Sequence, residues 1–130
     1  IDETELDADG RRIPLLHAKY LRYLSGERMT QRKLENELQV LESEVSDRLT
    51  GVMTQEDLAA RNWQPERRRF LRSEVGGAVA SDKDVMEMKL RLALQVEKVA
   101  VLDSICRMIM NRNYVLKGIA DWIKFKSGVS

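Results

Sequence analysis

One cysteine, one histidine and two prolines are all that 130 positions hold of those residues, aromatics make up only 5%, and each shortage closes off a class of function. Cys106 alone cannot form a disulfide within the chain, and with His17 as the lone histidine no protein-built zinc site can be assembled, so no metal is expected. Cys106 lies in the apolar run SICRMIM and reads as a small core residue. His17, between Leu16 and Ala18, reads as a helix-face residue rather than the base of a nucleophilic triad. Gly51 and the Gly76-Gly77 pair lack the G-x-x-x-x-G-K-[ST] context of a phosphate loop, so no nucleotide is expected. Glu42 and Glu44 fall on a helix face that reads as solvated, which leaves no paired carboxylates for acid–base work. The chain is therefore expected not to be an enzyme, with no catalytic residue and no cofactor. No apolar run approaches the ~18 residues that span a bilayer, and no basic-then-apolar leader is present. A soluble, intracellular protein is expected, with further native residues ahead of Ile1, which is not a methionine.

Net charge selects no partner either, because 22 lysines and arginines almost cancel 21 acids. Any electrostatic attraction must come from local clustering. The opening IDETELDAD carries five acids and no base, whereas Arg61 to Arg72 holds five arginines against Glu66. Leu, Met, Val, Ala, Glu, Lys and Arg dominate what remains, the composition of long helices. The fold class is all-α: two long helices joined by a short helical and loop insertion.

The organisation follows from periodicity. Residues 1–13 are acidic and turn at Asp9-Gly10, which predicts an extended N-terminal arm. A helix is predicted from Pro14, a residue suited to a first turn, and Ile13, Leu16, Tyr20, Leu24, Leu34, Leu38, Leu41, Val45 and Leu49 make its apolar face. Ser25-Gly26 invites a bend, but the period continues across it and one continuous helix is expected, stopping at Thr50-Gly51. Thr54 predicts the cap of a short helix through Leu58 and Ala60 that ends near Asn62. Pro65 and Glu66 suggest another turn or two reaching Leu71, and the paired glycines of VGGAVA suggest a loop. Ser81, backed by Asp82 and Asp84, predicts the cap of a final helix running to about Lys126. This divides the chain into the arm, a helical region at 14–80 and a final helix at 81–130.

That last helix carries two apolar seams. Leu94, Val101, Ile105, Met108, Val115, Ile119 and Trp122 form one, interrupted by Lys98 and Arg112; Leu92, Val99, Leu102, Cys106, Ile109, Leu116, Ala120 and Ile123 form the other. Seams offset by about 100° need neighbours on two sides. A rod of some 45 residues, roughly 68 Å long, exceeds a compact domain of this size. The pattern predicts that α-helices from several copies pack together, Leu94, Val101, Ile105, Met108, Ile109, Val115, Leu116, Ile119, Trp122 and Ile123 forming the contact. The opposing expectation is that the first helix folds back and covers both seams within one chain.

The segment QPERRRFLRSE supplies the candidate binding site. Guanidinium forks pair with phosphate oxygens, and aromatic rings offer planes on which unpaired bases stack. Arg61, Trp63, Arg67, Arg68, Arg69, Phe70 and Arg72 alternate the two kinds and point to single-stranded nucleic acid. A loop of solvated charge would look the same, but repetition around an oligomer turns a few weak contacts into strong, salt-dependent binding.

Two stretches carry a family resemblance. IPLLHAKYLRYLS near the start, and ASDKDVMEMKLRLALQVEKVAVLDSICRMIMNRNYVLKGIADWIKFKSG at the end, resemble the UvsY recombination mediators of T4-like bacteriophages. ASDKDV, NRNYVLKGI and the terminal W-x-K-F-x-x-G occur in the family's order and spacing, IDETEL matches its early I-D segment, and residues 51–79 match poorly. The resemblance implies a ring of about six or seven subunits joined through the C-terminal helices. It implies single-stranded DNA, a phage recombinase and the phage single-stranded-DNA-binding protein as partners, with the recombinase loaded onto DNA that the latter covers, in the host cytoplasm. Relatives carry a basic run just before a Y-Y-[ST]-G helix stop. Here that stretch is LESEVSDRLTG, with Ser43 and Val45 in basic positions and Arg48, the only base nearby, expected to join the DNA contact. The rest of the phosphate contact is expected to have moved to QPERRRFLR, within a DNA-binding region at 14–80 followed by the oligomerisation helix at 81–130.

Two other classes fit parts of the chain. TQEDLAARNW resembles the opening of a helix-turn-helix reader of duplex DNA, although the second helix is not evident. A coiled-coil adaptor without direct DNA binding would use the seams alone.

Overall fold

The computed structural model describes residues 3–128, and among them the chain is four helices without a strand: α1 (Glu3–Leu49), α2 (Gln55–Arg61), α3 (Arg72–Ala80) and α4 (Lys83–Lys126). The all-α expectation with two long helices holds. The extended arm does not: the described part of residues 1–13 belongs to α1, and Pro14 lies inside the helix. Acidic side chains suit the positive end of a helix dipole. The hydrogen bond that Pro14 cannot make would have ended on the carbonyl of Gly10, which is exposed to water, so the helix continues through it. Ser25-Gly26 also stays helical. Leu24 is buried beside it, and ion pairs from Glu27 and Arg28 hold the next turn.

α1 stops where the sequence indicates. Gly51 takes φ +75° and its N–H donates to the Arg48 carbonyl at 3.2 Å, while the Val52 N–H donates to Asp47 at 2.9 Å. This paired closure satisfies the last carbonyls of the helix and requires a left-handed residue. α2 is capped by Thr54, whose hydroxyl accepts from the Asp57 N–H at 3.2 Å, and ends on Asn62 at φ 58°.

From there the fold departs from expectation. Residues 65–71 form no helix, and the stretch containing VGGAVA is helix α3. Between Pro65 and Phe70 stand only Glu66 and three arginines, so no apolar side chain is there to hold a helix against the core. The Glu66 carboxylate instead accepts the Arg68 N–H at 3.0 Å, a local turn that competes with helical bonding. α3 forms because Val75 and Val79, four residues apart, pack into an apolar cluster. Burying them is worth about 1.5–3 kcal/mol each, which offsets the ~1 kcal/mol that each of Gly76 and Gly77 costs relative to alanine. Ser81 does not cap α4. Its hydroxyl donates back to the Gly77 carbonyl and finishes α3, and Asp82 caps α4 by accepting the N–H groups of Asp84 and Val85 at 3.0 and 3.1 Å.

The chain divides into two units, one from residues 1–29 with 96–130 and one from residues 30–95. In the first, Lys98 pairs with Glu27 and Asp103 with Arg28, while Met110 shares a small cavity with Ile13 and His17. Partners that rise on α4 as they fall on α1 define an antiparallel pair. Ile13, Leu24 and Cys106 are its buried residues. α1 thus covers the seam containing Cys106, whose other members in this unit, Val99, Leu102, Ile109, Leu116, Ala120 and Ile123, are half-buried. The first seam is left open along one line: Val101, Met108, Val115 and Trp122, spaced by seven, are each more than half exposed, while Ile105 and Ile119 between them are half-buried. Folding back therefore covers one seam and only part of the other. In the second unit Leu41, Val45, Val79 and Val85 form the core, fringed by Leu38, Leu49, Trp63, Val75 and Met88, and Leu94 is exposed.

Candidate nucleic-acid interface

The loop between α2 and α3 is fixed at its start by an aromatic ring. Trp63 is half-buried against the core of its unit, and its backbone N–H donates to the Leu58 carbonyl at 2.9 Å. The guanidinium groups of Arg48 and Arg61 lie over the indole, 5.7 and 5.5 Å from its centre. Contacts of this kind contribute about 0.5–1 kcal/mol at exposed positions.

Both arginines are also engaged elsewhere. Arg48 Nε donates to the Gln64 carbonyl at 2.8 Å. Arg61 grips Glu44 with two nitrogens, at 2.8 and 3.0 Å. Glu44 is consequently not a spectator on a solvated face. The Arg61 hydrogen bonds hold its carboxyl below the usual value of 4.5, against the opposing effect of partial burial, and raise the Arg61 guanidinium further. A carboxylate with a depressed folded-state pKa adds stability above its unfolded value, and that stability is lost as pH falls through the folded value. Arg61 stays charged throughout. Glu44→Gln is therefore expected to lower stability at neutral pH by at most about 1 kcal/mol, since Arg61 is 40% exposed and solvent screens the pair. The gap between variant and parent should close below pH 4.5, as urea titrations across that range would show.

Of the eight residues expected from sequence to hold DNA, three therefore form a clasp that positions the loop: Arg48, Arg61 and Trp63. The other five line one groove. Arg67, Arg68, Arg69, Phe70 and Arg72 face a space of about 800 Å³ that is closed on its other side by Leu49, Thr50 and Gly51 from the end of α1. Phe70 is half-buried, with the Arg68 guanidinium 4.6 Å from its ring centre. Arg68 also reaches Glu74 at 3.2 Å. The same carboxylate accepts the Leu71 N–H at 3.0 Å and so ends the loop where α3 begins. Arg67, Arg69 and Arg72 are exposed, and among the described residues none of them has a carboxylate partner. Chemically, against the single carboxylate of Glu66, the groove offers three guanidinium forks with no carboxylate partner among the described residues, a fourth in a breakable ion pair, and one ring face: the complement of phosphates and a base.

Sequence reasoning missed Glu44 and Glu74, which decide between them which arginines are occupied. No local pattern marks either one, because their partners lie 17 and six residues away. The helix-turn-helix expectation is overturned here. Residues 62–71 separate α2 from α3, where such a motif needs a turn of about three or four residues. Among the described residues no group of His, Cys, Asp or Glu could hold a metal ion.

A family model described as recombination, repair and ssDNA binding protein UvsY matches residues 1–129. Crystal structures of the bacteriophage T4 recombination mediator protein UvsY share the fold. Lattice type II aligns with TM-score 0.77 at 20% identity over 98% of this chain and 88% of that one. Lattice type I gives 0.76 at 21% identity over 97% and 90%. No curated sequence matches the chain.

Proposed function

The chain belongs to the UvsY family of recombination, repair and single-stranded-DNA-binding proteins, and from that premise we propose that it acts as a recombination mediator. It assembles through the open seam of α4 into a homo-oligomer of about six or seven copies, holds single-stranded DNA in the arginine grooves, and helps a phage recombinase replace the phage single-stranded-DNA-binding protein. The work takes place in the host cytoplasm; no helix among the described residues is long and apolar enough to cross a membrane. The observation that carries this reading is the family match along residues 1–129. The groove supplies a physical basis for it, and the open heptad-spaced seam supplies the multiplicity.

The mechanism needs no chemistry beyond charge and stacking. Each groove binds a few phosphates weakly, and copies held together raise one another's effective concentration on a strand. A mediator must also let go, and contacts made by counterion release weaken steeply with salt and with competition for the same phosphates.

The test is recombinase filament assembly on single strands already covered by the phage binding protein. Adding this protein should speed assembly on covered strands and leave assembly on bare strands little changed. Binding of oligo-thymidine without any such stimulation would reject the mediator role. No gel shift with oligonucleotides at low salt would favour the adaptor reading instead.

A further inference from the structure

The groove uses only part of the positive charge on this chain. Between residues 11 and 33 stand seven lysines and arginines against a single acid, Glu27. The sign then reverses: residues 34–49 hold Glu35, Glu37, Glu42, Glu44 and Asp47 against Arg48 alone. Residues 11–33 thus form a basic stretch of α1 between its acidic opening, with Glu3, Glu5, Asp7 and Asp9, and the acidic residues 34–49, a pattern hidden by the balanced total. Glu27 does not neutralise that stretch, because it is bound to Lys98 at 3.0 Å. Arg28 is likewise spent on Asp103.

Helical geometry gathers the rest. At 100° per residue, Arg11, Leu15, Lys19 and Arg22 fall within about 80° of arc, on the side of α1 away from buried Ile13 and Leu24, and all four are exposed. Arg11, Lys19 and Arg22 have no carboxylate partner among the described residues. Tyr23 borders this face, half-exposed, with the Lys19 ammonium 5.9 Å from its ring centre and Tyr20 packed edge-on at 5.8 Å. A ring held by a neighbour and left open on one side, flanked by three cations that pair with no carboxylate among the described residues, has the composition of a stacking platform on a phosphate track. An acidic peptide would be drawn by the cations but would make no use of the ring.

We propose that the outward face of α1 around Arg11, Lys19, Arg22 and Tyr23 is a second contact surface for single-stranded DNA, separate from the arginine groove. It rests on the reading that the protein binds single strands. Arg11, Lys19 and Arg22 hold phosphates, and Tyr23 receives a base. The acids that flank this stretch in the sequence, at 3–9 and 34–49, repel the strand and confine it to residues 11–33.

The experiment follows the anisotropy of labelled oligo-thymidine across a salt series, with the full chain and two variants, and native mass spectrometry to check assembly. Arg11→Gln/Lys19→Gln/Arg22→Gln should leave the assembled mass unchanged, flatten the plot of log affinity against log salt by about 2, and weaken binding about a hundredfold near 0.1 M salt, at ~0.7 of slope per single-strand phosphate contact. Tyr23→Ala should weaken binding about tenfold with the slope unchanged. An unaltered slope and affinity in the triple variant, while the parent binds, would overturn this surface and leave the groove standing. So would a change in assembled mass, which would make the face a contact between copies, or lost stimulation of the recombinase with intact DNA binding, which would make it a protein contact. A parent that ignores oligo-thymidine altogether would remove both surfaces.

Discussion

Reversing Arg67, Arg68 and Arg69 together to glutamate should reduce affinity for single-stranded DNA by two orders of magnitude or more near 0.1 M salt, and flatten the salt dependence by about 2. The size of the effect follows from which side chains are free. Arg67 and Arg69 are exposed without carboxylate partners among the described residues, so each can give its whole fork to a phosphate. Arg68 must first leave Glu74, and its share should be the smallest of the three. Single changes to glutamine should therefore rank Arg67 and Arg69 above Arg68 in lost affinity. Stability should fall by no more than ~1 kcal/mol, because none of the three contributes to the apolar core and the Arg68–Glu74 pair that is lost is solvent-exposed. Anisotropy titrations with oligo-thymidine at several salt concentrations measure both quantities, and unchanged binding by the triple variant would remove the groove as the DNA site.

The second large effect concerns assembly. Val101, Met108 and Val115 lie along one line of α4 at intervals of seven, exposed, on a unit whose other seam α1 already covers. Seven-residue spacing keeps such a line in register with a partner helix, and burying each side chain contributes about 1.5–3 kcal/mol. Placing glutamate at Val101 and Met108 would force two carboxylates per subunit into that contact, an arrangement that costs several kcal/mol per unpaired charge. Sedimentation should then find single chains where the parent forms oligomers. Affinity for long single strands should fall with it by a factor of about 10² to 10⁴, through lost effective concentration alone. Short oligonucleotides that occupy one groove should show a much smaller loss. A parent that sediments as a single chain would end this account of assembly.

Several features were legible one residue type at a time. Thr54, Asn62 and Gly51 act through local geometry, the first by accepting an N–H three residues on and the other two by adopting positive φ, so sequence alone placed both ends of α2 and the end of α1. Where a local signal met a tertiary contact, the contact prevailed. Gly76-Gly77 reads as a loop, yet the burial of Val75 and Val79 makes it helix. Ser81 and Asp82 are both good caps, and only the fit of α3 against the core decides that Ser81 closes one helix while Asp82 opens the next. The acidic start reads as an arm because it has few apolar residues to bury, but the described residues there continue the long helix α1.

By itself, then, the sequence determined the helical class, the two seams, the arginine-rich segment and the likeness to a family of recombination mediators, because each of these is written in composition, period or motif. Only the tertiary structure decided which seam lies open and which arginines are free. Those are questions of pairing between residues far apart in the chain, as when Glu44 takes Arg61, Glu74 takes Arg68, and α1 covers the Cys106 side of α4. A side chain's availability depends on its neighbours in space, and spacing along the chain does not encode them.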